Sequence, residues 1–286
     1  MMKDWYENHE LYHKIGYLIA SEEKTLQEIF NISAGKTKQK FREKLDEYIK
    51  ESIDIKENYA DLRYDKPNDC KKISTLLLLF NVESVLRNDE QTQRFPFNKF
   101  KFDTRGKVQW SLEHIHARHS EGLRSQEMWK EWLRLHKPSV EAVSKGKKHK
   151  EIEELINAIQ SAIDTKELKH KVFEDLQQKV VDVLSHKEDK EDYLHSISNL
   201  ALLRFDDNAA LNNSTFDVKR NKIITMINDG LYIPFCTKMV FLKYYTKSED
   251  TQLHFWGQAD RKAYIDAMNR VLKPYLKDPI ATAEEL

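Results

Sequence analysis

The ten residues 110–119, WSLEHIHARH, place three histidines and a glutamate directly behind a tryptophan. On a strand, neighbouring side chains point to opposite faces, so Glu113 and Ile115 share one face and His114 and His116 the other. A carboxylate and an imidazole side by side at a strand's end divide two tasks within one cleft. The carboxylate ligates a hard divalent cation, and the neutral imidazole takes a proton from water. The plain alternative is a polar surface, in a chain with 11 histidines among 286 residues. The chemical reading needs a second stretch to complete the site. Residues 198–222, SNLALLRFDDNAALNNSTFDVKRNK, provide one. Asn199 precedes an apolar run, and Asn208 comes nine residues later. Then follow Asn212, Asn213 and a basic segment with Lys219, Arg220 and Lys222. Alone, Asn208 reads as a helix cap or turn residue. Together the two stretches give a strand with Glu-His, a strand with Asn, and a helix that opens with Asn and carries lysines. That order predicts a ββα unit with candidate metal ligands at its strand ends.

The elements that must position these residues are mostly helical. Seven Gly and six Pro, with 40% hydrophobic and 33% charged residues, suit a soluble, helix-rich globular chain. The spacing predicts an exposed amphipathic helix over 36–53 and a central buried helix over 71–87, apolar all round from Leu76 to Phe80. Alternating aromatic and polar positions predict a short strand over 94–102, able to pair with a strand over 107–115. Helices are expected over 125–136 and 150–184, separated by a basic loop, 137–150, that contains Pro138, Lys145, Lys147, Lys148 and Lys150. A strand over 198–205, a capped helix over 214–229 and a last helix near 258–276, with Tyr264, Met268 and Leu272 on one face, complete the chain. The fold class is therefore mainly α with a small β element. Residues 1–92 are expected to form a helical connector, and 93–286 a second domain that holds this unit, with a helical insertion at about 120–195.

Several function classes are disfavoured. Acidic and basic residues balance at 47 each, so nucleic-acid binding has to come from local patches. Cys70 and Cys236 are far apart and form no CxxC pair, which argues against a disulfide framework or zinc ribbon and fits a reducing cytoplasm. No apolar run approaches a bilayer span, and the opening MMKDWYENHELYHKIG lacks a signal pattern.

With these residues in place, the chain resembles the HNH nucleases. Their first-strand Asp/Glu-His-Ile is matched by Glu113-His114-Ile115, their second strand by Asn199-Leu200-Ala201-Leu202-Leu203, and the Asn opening their helix by Asn208. The stretches YHKIGYLI, LLLLFNVESVL, FPFNKFKFD and WSLEHIHA are similar to the C-terminal nuclease domain of GmrSD-type modification-dependent restriction enzymes, over roughly residues 5–275. The resemblance implies that His114 is the general base and that Glu113 and Asn208 hold one Mg²⁺ or Mn²⁺ ion. It implies that Asn199 braces the loop carrying His114, and that Lys219, Arg220 and Lys222 meet the phosphate backbone of DNA. There are departures from the family pattern. Ala117 stands where the family has Pro, Asn212 or Asn213 replaces a final His, and about 80 residues separate the strands. His116 is expected to line the site and His119 to be exposed. The family's ParB-like nucleotide-hydrolysing half, with its Asp-Gly-Gln-Gln-Arg signature, has no counterpart here. The implied protein is thus the nuclease half, a split subunit or a fragment, working with a ParB-like sensor on modified phage DNA. Two alternatives stand beside this one: a non-catalytic helical interaction subunit that keeps the residues as fold elements, and an RNA-cleaving toxin with the same site.

Overall fold

The computed structural model describes residues 1–54, 58–88, 93–100, 110–117, 123–144, 150–185, 193–204, 214–247 and 253–276. The N-terminal helices are α1 (Met2–Glu7), α2 (His9–Ala20), α3 (Leu26–Ser33), α4 (Lys38–Ser52) and α5 (Pro67–Leu86). After them come β1 (Trp110–His114), then α6 (Gln126–Ser144), α7 (Lys150–Asp164) and α8 (His170–Val183). The chain continues through β2 (Leu200–Arg204), α9 (Phe216–Asn228), α10 (Phe235–Phe241) and α11 (Gln258–Leu272). The chain is mainly helical, and the two strands form one antiparallel sheet.

Helix α5 starts on Pro67, where the missing N–H costs nothing, and it is buried on every side from Leu76 to Phe80. An apolar-all-round helix belongs at a centre. Here it touches α2, α10, α11 and both strands. One continuous core therefore joins residues of 1–92 with the sheet and the C-terminal helices, including Leu18, Leu45, Leu79, Leu203, Phe216 and Met268. Helices α6–α8, inside the segment expected as an insertion, enclose a second core around Trp132, Leu133, Ile159, Phe173 and Val180.

The sheet pairs Glu113 with Ala201 and His114 with Leu200, and Ile115 N–H adds one more bond to the Asn199 carbonyl at 2.8 Å. The outer edge of β2 is covered from within the protein: the Thr237 hydroxyl donates to the Leu202 carbonyl at 2.7 Å, and the Tyr264 hydroxyl to the Leu200 carbonyl at 3.2 Å. These bonds satisfy carbonyls that no third strand among the described residues reaches.

Two expectations are corrected. The aromatic alternation after Pro96 does not make a strand: Phe97–Phe100 is a 3₁₀ turn, and 101–109 lie outside the described residues. The rings of Phe95, Phe97 and Phe100 pack on one another, and Phe100 stacks on Trp110 at 4.2 Å, so burial comes from a turn. Gly16 permits it, because a Cβ there would meet the Phe97 ring at 2.1 Å. The expected loop 137–150 is helical as far as Ser144, with Pro138 inside α6. An interior proline costs about 3 kcal/mol. That cost is offset by the burial of Trp132, Leu133 and Val140 on either side and by the Lys137–Glu141 pair one turn apart at 3.4 Å. Lys145, Lys147 and Lys148 lie outside the described residues, while Lys150 is exposed at the start of α7.

Candidate functional site

Antiparallel pairing sets the end of β1 beside the turn that enters β2, and Asn199 locks that junction. It is fully buried. Its Oδ1 accepts the His116 N–H at 3.0 Å, and its Nδ2 donates to the His116 carbonyl and to the Leu194 carbonyl, both at 2.9 Å. One carboxamide thereby fixes the backbone just after His114 and the backbone just before His195. Each such bond is worth about 0.5–1.5 kcal/mol net, and leaving a buried partner unmade costs more.

Glu113 is buried at 6% exposure, and its Oε1 is held by the ammonium of Lys219. Lys219 also donates to the His114 carbonyl at 2.5 Å. Burial raises the Glu113 carboxyl above the usual range, and the Lys219 charge acts against that rise. The expectation for Lys219 is thereby overturned. It is 1% exposed and faces the strand, where a lysine that meets phosphate would face solvent. Phe216, Lys219 and Ile223 are all buried at helical spacing on α9. Arg220 and Lys222, expected with it as DNA contacts, are half-buried. Burial lowers the Lys222 ammonium, with Glu131 opposing and Lys219 adding to the shift.

The histidines separate by what their ring nitrogens do. His119, His149 and His186 lie outside the described residues. Three others carry backbone. His13 Nε2 accepts the Phe95 N–H at 3.0 Å, His136 Nε2 the Thr215 N–H at 3.2 Å, and His116 Nδ1 the Phe216 N–H at 3.3 Å. The last two cap the start of α9, where Thr215 itself makes no side-chain cap. His136 is fully buried, and burial drives its imidazole down to about 3. His116 is thus corrected from a site-lining residue to a buried helix support, with its Nε2 also meeting Ser185 Oγ at 3.3 Å. His9, His170 and His254 engage Gln93, Glu174 and Asp217.

Two imidazoles remain. His114 Nε2 and His195 Nδ1 are shielded from solvent and have no hydrogen-bond partner among the described residues. Their rings lie 5.5 Å apart, and Tyr64 packs edge-on against His114 at 4.7 Å. Burial first, then Lys219 and His195, push His114 down to about 4, so it is neutral at physiological pH. A buried nitrogen with no partner is costly and calls for an explanation. An oxygen of a bound ligand or water would satisfy it.

For a divalent ion the fit is partial. Among the described residues no group of three or more His, Cys, Asp or Glu side chains is placed to hold a metal. Glu113 keeps one carboxylate oxygen outside its bond to Lys219. Asn208, Asn212 and Asn213 lie outside the described residues. An ion that retains several waters needs few protein ligands. An apolar groove of about 620 Å³ between α1–α3 and the Phe97–Phe100 turn is lined by none of these residues. No helix among the described residues is long and apolar enough to cross a membrane. Comparison with known protein families, curated proteins and solved structures returned no match.

Proposed function

We propose that this chain is a metal-dependent DNA endonuclease of the HNH type, hydrolysing phosphodiester bonds with His114 as general base. One observation carries the reading: a neutral imidazole with a shielded, unpartnered nitrogen sits at the end of β1, braced by Asn199 and next to Glu113. Strand, strand and helix follow in the order that chemistry uses. In the reaction His114 Nε2 takes the proton of the attacking water, which its neutral state permits. Asn199 holds the His114 turn in register with β2. Lys219 holds the Glu113 side chain and the His114 carbonyl together. A divalent ion on Glu113 and Asn208 would polarise the phosphate and steady the leaving oxygen.

Arg220 and Lys222, half-buried on α9, are assigned to phosphate. With zero net charge, this supports weak DNA binding by the chain alone. Selection of modified phage DNA in a defence system, in the cytoplasm, is assigned to a ParB-like partner. The test is cleavage of matched modified and unmodified DNA duplexes, and of the RNA equivalent, with Mn²⁺ and with EDTA. Metal-dependent scission of DNA is expected, and inertness toward every duplex overturns the reading. The occupied Glu113 carboxylate favours one alternative, a non-catalytic interaction subunit. In that case Mn²⁺ titration by calorimetry yields no binding.

A further inference from the structure

The nuclease reading uses one of the two unpartnered imidazoles and leaves the other unexplained. His195 does not belong to the Glu-His strand, the Asn of β2 or the basic helix. Its backbone is nevertheless tied into the same junction. The Tyr64 N–H donates to the His195 carbonyl at 2.8 Å, Arg63 and Ser196 form an isolated bridge, and Asn199 holds the Leu194 carbonyl. Asn199 therefore sets the spacing between the two histidine-bearing turns. Each of the other described histidines has at least one ring nitrogen bonded to backbone or carboxylate, which makes this pair distinct.

We propose that His195 is a second catalytic residue of this site, the general acid that protonates the leaving oxygen. The inference rests on the nuclease reading. Water attacks phosphorus while His114 Nε2 takes its proton. The bond from phosphorus to the leaving oxygen breaks, its electron pair stays on that oxygen, and the His195 imidazolium supplies the proton. The products are a phosphomonoester and an alcohol. His114 ends protonated and His195 neutral, and exchange with water resets both. The rings meet edge-on with centroids 5.5 Å apart, which brings both imidazoles to one place in the fold. Tyr64 limits the freedom of the His114 ring, so the approach is set by packing.

The experiment compares two oligodeoxynucleotide duplexes with Mn²⁺ present. One is ordinary DNA. The other has 3′-bridging sulfur in place of the leaving oxygens, and sulfur departs as a thiolate that needs no proton. His195→Ala and His195→Gln should lose about 10²–10⁴-fold on ordinary DNA, the span typical of an acid–base group, and close to nothing on the sulfur-bridged duplex. His114→Ala should lose on both. Melting curves confirm that each variant is folded, and the glutamine variant stands in if alanine does not fold. An equal loss on both duplexes, or no loss on ordinary DNA, overturns the acid role and leaves the nuclease reading standing. A folded wild-type chain that cleaves neither duplex removes both.

Discussion

Replacing Lys219 with Met keeps an unbranched side chain in the space and removes the ammonium. Glu113, 6% exposed, then has no counter-charge, and the His114 carbonyl loses a donor. Breaking one side of a buried ion pair costs about 3–5 kcal/mol, because the stranded charge has lost its hydration without compensation. For a chain of this size a loss of 1 kcal/mol lowers the melting temperature by about 2–4 °C, so a fall of about 6–20 °C is expected. The double variant Glu113→Gln with Lys219→Met carries no stranded charge and should recover most of that fall. Circular dichroism melts of the four proteins give the cycle, and urea midpoints give the free energies. A surface lysine bound to phosphate behaves differently. Its loss leaves the melt unchanged and reduces the salt slope of DNA binding by about 0.9. That pair of results would refute the burial of Lys219.

Two further perturbations follow from the same geometry. Burial holds the His136 imidazole down to about 3, whereas in the unfolded chain it titrates near 6.5. The folded state therefore keeps it neutral, so stability is whole above about pH 6.5 and declines as pH falls toward 3. At pH 5 this group alone costs about 2 kcal/mol. Urea midpoints at pH 7 and pH 5 should show a smaller drop in His136→Gln than in wild type, and equal drops contradict the assignment. Asn199→Ala removes three bonds at the junction of the two histidine turns and should cost at least about 1–3 kcal/mol. Cleavage, measured where the variant is still folded, should fall further than stability does, and full activity would contradict the bracing role.

The individual strands at 110–114 and 200–204, the buried α5 and the last helix were legible because local periodicity records them, whereas the expected pairing of 107–115 with 94–102 was not what formed. Leu76–Phe80 is apolar all round, and Tyr264, Met268 and Leu272 share a face that is buried. The Glu113-His114 and Asn199 positions also meet at one junction. What escaped was long-range. Pro138 reads as a helix stop until the packing of α6 is known. His116 and His136 lie 20 residues apart in sequence, yet both cap α9, and nothing local marks an imidazole as a cap. Lys219 did leave a signal: it falls between Phe216 and Ile223 on the apolar stripe of its helix, a place where a solvated cation does not belong. His195 left none, since its partner in space is 81 residues away.

The measurement closest to the central claim is single-turnover cleavage of duplex DNA with Mn²⁺ by wild type and His114→Ala, alongside melts of both. The account predicts a loss of about 10²–10⁴-fold in the variant, with its fold and metal affinity retained. Near-wild-type turnover by His114→Ala would contradict it.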